Sequence, residues 1–135
     1  YLEYGRRMRT GFGFQVKAMY MQNADLIKKF KKGEYKDHKE DFDTDTTSFC
    51  NSLLESITQF DGQQVPDVLE KSHARIANCH RLCYESTQAL REAYGAEGAE
   101  RDRLVKEAEK KMKEAWAQGS SGVKLHNDIW ARTTT

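Results

Sequence analysis

The side chains best suited to chemistry fall close together: His73, Cys79, His80 and Cys83. Cys79 and Cys83 are four apart, His80 and Cys83 three apart, and His73 lies two turns before His80, so on one helix several soft ligands line a shared side. Imidazole and thiolate in such a row can contribute to a zinc or haem site. The set is incomplete, however. The chain has no Cys-x-x-Cys and no Cys-x-x-Cys-His. A single helix closes a tetrahedral shell only with help from Cys50, His38, His126 or another chain. We therefore read Cys79, His80 and Cys83 as buried thiols and half-buried imidazoles in a helix seam, with no metal or cofactor expected. A thiol-redox alternative has Cys50 meeting Cys79 or Cys83 across two helices, a staple suited to an oxidising organelle.

The second chemical signal is charge. Residues 1–13 hold Arg6, Arg7 and Arg9 among glycines and the aromatics Tyr4 and Phe12, with Phe14 immediately after. Such a mixture can follow a phosphate backbone and stack bases, or rest on anionic lipid. With Lys17 and the run Lys28, Lys29, Lys31, Lys32, it makes a cationic N-terminal quarter. The acidic stretch Glu34 to Asp45 follows, and the whole chain carries only +1. Dedicated nucleic-acid domains are usually far more basic, so the arm is read as lying along an acidic protein neighbour. At the other end, Ile129 and Trp130 sit in a short tail, Gly122 to Thr135. Exposed Trp beside Ile needs a cover, so the tail either folds back on the bundle or docks on a partner.

For catalysis the usual parts are missing. There is no glycine-rich phosphate loop, no Glu-x-x-His pair for a di-iron centre and no nucleophile motif. Asp43-x-Asp45 resembles the start of a calcium loop, but the required Gly and closing Glu do not follow. The expectation is a protein without catalytic activity.

The elements that must position these groups are helical. Leu, Ile, Val and Phe number 24 of 135 residues, a thin set for a core, yet the near balance of 22 basic and 21 acidic side chains leaves no self-repulsion to hold the chain open. Gly33, Gly62, Gly95 and Gly119 each follow a run with helical period, and each is read as a stop. A first helix runs from about Phe14 to Lys32, with Val16, Met19, Asn23, Leu26, Ile27 and Phe30 on one stripe. The second starts near Asp45 or Thr46, whose side chains can cap it, and ends at Phe60. A third starts at Pro66 and ends at Tyr94. In it Leu69, Ile76, Cys83 and Leu90 repeat every seven residues beside His73, His80, Thr87 and Tyr94, a coiled-coil-like seam. A fourth, about Ala96 to Gln118, shows Leu104, Val105, Ala108, Met112, Ala115 and Trp116 on one face. Helices three and four are expected to be antiparallel, with Ile76, Cys83 and Leu90 against Leu104, Ala108 and Met112, though Gly95 alone also permits one bent rod.

The sequence thus predicts an all-α single domain, a helical hairpin or irregular bundle of about four helices with extended termini: an arm at 1–13, helices at 14–119 and a tail at 120–135. No run is long enough to span a bilayer. Few cysteines suit a reducing, intracellular setting, cytoplasm or an organelle such as the mitochondrion. Because the first residue is Tyr1, a preceding segment, organelle-targeting or otherwise, is expected to have been removed. The expected role is an accessory subunit of a multiprotein complex. Its partner contacts fall at Arg6, Arg7, Arg9, Phe12, Phe14, Ile129 and Trp130, and both ends depend on neighbours for their order. The alternatives are a module for nucleic acid or anionic membrane worked by the basic arm, and a metal or thiol-redox protein using Cys79, His80 and Cys83.

Overall fold

The computed structural model describes Gly11 and residues 13–134. Four α-helices follow one another: α1 (Gly13–Lys31), α2 (Lys39–Asp61), α3 (Glu70–Tyr94) and α4 (Gly98–Thr134), with a 3₁₀ turn at Asp67–Leu69 leading into α3. No strand occurs among the described residues. α1 ends in Lys28, Lys29 and Lys31, cations that complement the carbonyl end of its dipole, and Gly33 then turns the chain with φ of 79°.

α3 and α4 form the expected antiparallel hairpin. As the α3 partner advances the α4 partner recedes: Arg75 bonds Ser121, Asn78 bonds Gln118, Lys111 bonds Glu85, and the Ser86 hydroxyl donates to the Ala108 carbonyl at 2.7 Å. α1 lies on this pair, parallel to α3. Val16 sits beside Cys79, and Asn23 donates to Ser86 at 3.1 Å. α2 covers the other flank of α3 in the opposite direction, with Phe42 stacked on Tyr94 at one end and Phe60 against His73 and His80 at the other. α3 is therefore the centre of the bundle, and α1 and α2 meet each other only sparsely.

The seven-residue period explains why α3 can serve three neighbours. Leu69, Ile76, Cys83 and Leu90 are all fully buried. A second row, Ser72, Cys79, Ser86 and Ala93, is equally buried and presents small side chains to α4, allowing close approach. His80 and Thr87 form a third row turned toward α2. The Asn23–Ser86–Ala108 chain of bonds ties α1, α3 and α4 together in a dry interior. Ser86→Ala strands the Asn23 amide and leaves one lone pair of the Ala108 carbonyl unpaired. It is expected to cost about 1 to 3 kcal/mol by urea unfolding, and a loss below about 0.5 kcal/mol would show that the relay is not holding these helices.

Several boundaries differ from the sequence reading. α2 begins at Lys39, nearly two turns before the Asp45 or Thr46 cap. Glu40 and Asp41 occupy its first turn, favoured by the dipole, while Thr46 is internal and turns its hydroxyl back to the Phe42 carbonyl at 2.7 Å. Asp45 instead accepts the Tyr35 hydroxyl at 2.7 Å, and burial with that carboxylate pushes the Tyr35 pKa up. Pro66 precedes the 3₁₀ turn rather than opening the helix itself. Gly62 and Gly95 do end helices, but in right-handed conformation, with φ of −86° and −88°.

The largest correction concerns α4, which runs through Gly119 and Gly122 to Thr134 and absorbs the expected tail. These glycines are sites of contact rather than stops. An added Cβ at Gly119 would lie 2.6 Å from Val16 Cγ1 and 2.9 Å from Cys79 Sγ, and one at Gly122 would lie 2.9 Å from the Ser72 carbonyl oxygen. The hairpin register shifts accordingly. Ile76 lies against Gly122, more than two turns beyond the Leu104–Met112 stripe assigned to it, because that stripe was drawn on a helix cut short at Gln118.

Candidate functional site

The four soft ligands on α3 diverge. Cys79 points its sulfur at the α4 backbone near Gly119. His73 and His80 turn the other way and stack on Phe60, each with ring centroids 4.7 Å away. The His80 Nδ1 lies 2.8 Å from the Ile76 carbonyl, which can only accept, so this nitrogen carries the proton and Nε2 the lone pair. Nε2 is buried with no protein partner among the described residues. Burial lowers the His80 pKa, and Arg81 and His73 add to the effect; burial likewise lowers that of His73. Cys83 is pushed well up by its hydrogen bond with Cys79 and by burial, and burial raises Cys50 against the opposing pull of Arg91. Cys50 and Cys83 are therefore held in the protonated form. All three cysteines are free, and no three His, Cys, Asp or Glu side chains among the described residues converge on a metal position.

Among the described residues, the outer face of α1 and its seam with α4 are open. The core stripe of α1 faces inward, which puts Phe14 and Met21 on the opposite side, 78% and 58% exposed. Their seven-residue spacing aligns them along one outer line. Around the helix from them, Tyr20 meets Trp116 of α4 with ring centroids 4.8 Å apart. Trp116 was expected in the core stripe of the fourth helix but is 40% exposed, because that stripe points at α3 while Trp116 sits on the α1 side. On one side of this ring pair a hollow of about 460 Å³ is lined by Gly13, Val16, Trp116, Val123 and Lys124 among others. On the other side, along the same seam, a hollow of about 510 Å³ is lined by Phe30, Arg101, Val105 and Lys106. There Arg101 lies 4.6 Å above the Phe30 ring and Lys31 pairs with Glu109 at 3.3 Å.

Of the partner residues read from sequence, Arg6, Arg7, Arg9 and Phe12 lie outside the described residues, whereas Phe14 is on this surface. Ile129 packs against the core, and Trp130, half-buried, stacks on His126 one turn before it on α4 with centroids 6.2 Å apart. Sequence reasoning missed Met21, Tyr20 and Val123. The available signal was Met21 seven residues from Phe14 and off the buried stripe. No helix among the described residues is long and apolar enough to cross a membrane. Comparison with protein-family models, with curated proteins and with solved structures finds no match.

Proposed function

We propose that this chain is a non-catalytic accessory subunit that packs into a larger protein assembly. The observation that carries the reading is the outward line of Phe14 and Met21. Two large apolar side chains stand in water on a helix whose core stripe is already satisfied, and neither contributes to the bundle. Large apolar side chains exposed together along one helix line mark interaction sites on proteins otherwise rich in charge. The groups with chemical potential support it too, since Cys50 and Cys83 are held protonated and the imidazoles of His73 and His80 are engaged with Phe60 and backbone carbonyls.

The test is the native size of the chain. In extract from its source, the wild-type protein is expected to migrate in an assembly far larger than its own 15.6 kDa. Phe14→Glu with Met21→Glu is expected to release it as free chain without altering its helical circular dichroism, since both positions are solvent-facing. Wild-type protein running as free chain in the extract would sink the reading.

A further inference from the structure

We propose that the groove between α1 and α4 receives an acidic amphipathic helix of a partner protein; this deepens the subunit reading and rests on it. The floor is apolar and aromatic, with Val16, Val123 and the Tyr20–Trp116 pair between two hollows. Its rims are cationic. Lys124 lines one hollow and Lys31 and Lys106 the other, and Lys17, Lys28 and Lys113 are exposed on the same two helices. Acids along the seam are fewer: Glu109 is neutralised by Lys31, and Asp102 and Asp128 stand at its two ends. The one acid of α1, Asp25, pairs with Lys29 on the side facing α2. Because the chain as a whole is nearly neutral, this surplus is local, balanced by the acids gathered between Glu34 and Asp61. A surface that is both apolar and cationic is complementary to an occupant that is both apolar and anionic.

Spacing and side-chain type narrow the class. Lys106 and Lys113 are seven residues apart, Lys113 and Lys124 eleven, Lys17 and Lys28 eleven. Seven and eleven residues are near-whole numbers of helical turns, so each rim is a straight row. Carboxylates at the same period on both flanks of a helix laid in the groove meet these rows, while its apolar stripe meets Trp116, an anchor type typical of such contacts, and Val123 beside it. The rims carry lysine, and Arg101 is committed over Phe30. A lysine point charge pairs with carboxylate and phosphate alike, so the apolar floor, rather than the type of cation, is what favours an amphipathic helix.

The test uses the full chain and a fluorescein-labelled three-heptad helical peptide with a leucine stripe flanked by glutamates, read by anisotropy. Saturable binding is expected. Trp116→Ala is expected to weaken it about tenfold or more, as is Lys113→Glu with Lys124→Glu. The same peptide with lysines in place of the glutamates should fail on the wild type and bind the Lys113→Glu, Lys124→Glu protein, a charge-swap rescue that a folding defect cannot mimic. Absence of saturable binding overturns the proposal. So does tighter binding of oligo(dT) or of phosphatidylserine vesicles, or competition of the peptide with self-association of the chain. If Phe14→Glu with Met21→Glu leaves the native assembly while Trp116→Ala remains in it and the peptide does not bind, the groove is wrong and the subunit reading stands. Saturable peptide binding by a chain found in no assembly sinks the subunit reading alone.

Discussion

Gly122→Val is expected to destabilise the protein by about 3 kcal/mol, enough to loosen the C-terminal half of the hairpin. A β-carbon at this position would come within 2.8 Å of Ile76 Cγ1 and 2.9 Å of the Ser72 carbonyl oxygen. The second obstacle is backbone and cannot rotate away. Replacing a mid-helix glycine normally gains about 1 kcal/mol of helix propensity, so the expected sign depends on the clash outweighing that gain, as a branched side chain against a carbonyl does. Gly95→Ala is the matched control. Its φ of −88° is open to any L-residue and its nearest obstacle is 3.9 Å away, so a gain of about 0.4 to 1 kcal/mol is expected. Urea midpoints of the two variants should move in opposite directions. A Gly122→Val protein as stable as wild type would mean that α3 and α4 are not in this close contact.

Acidification should weaken the bundle through its buried imidazoles. The His80 ring is 1% exposed, and its Nε2 has no protein acceptor among the described residues, so a second proton on this ring would be buried without one. The pKa values of His80 and His73 are both lowered from 6.5 by burial, so over a window beginning near pH 6.5 and running down to the folded values the unfolded chain binds protons that the folded chain does not. Stability is therefore complete above that window and falls as pH drops through it, by up to about 1.4 kcal/mol per pH unit for each ring. His80→Phe keeps a ring against Phe60 and removes the titration. It is expected to flatten the fall in unfolding free energy as pH drops below about 6.5. Wild-type and variant slopes that coincide would assign the acid sensitivity to other groups.

Fold class was legible because helical period survives in every segment: the α1 stripe from Val16 to Phe30 is buried as read, as is the Leu69, Ile76, Cys83, Leu90 row. Two rules misled. Glycine after a periodic run signals a stop only when no neighbour requires its missing side chain, and what Gly119 touches, Cys79 and Val16, lies 40 and 103 residues away in sequence, where local pattern carries no trace of it. The capping rule placed the start of α2 at Asp45 because Asp and Thr are good caps, but tertiary bonds from Tyr35 and Arg91 claim Asp45 and Thr46 from outside the helix. The outer surface was half legible. Phe14 lies off the α1 stripe and could be flagged, whereas Trp116 borders the α4 stripe, and which side of that border meets water depends on where α1 lies.

The central position of α3 governs how the chain can be made. Residues leave the ribosome in order, so α1 and α2 are both synthesised before the helix that buries them. They touch each other too sparsely to form a core together. The Asn23–Ser86 bond joins residues 63 apart, while the Ser86–Ala108 bond joins residues only 22 apart. Closing the longer loop costs roughly 1 kcal/mol more, so α1 docks after α3 and α4 have met, whereas α2, whose Phe60 carbonyl meets His73 13 residues on, can pair with α3 as soon as it emerges. Until α3 has emerged, Phe30, Phe42 and Phe60 have no interior to enter. A nascent chain stalled after Asp61 is thus a ready client for a chaperone, and the same delay makes the N-terminal half the first target of proteases when synthesis aborts.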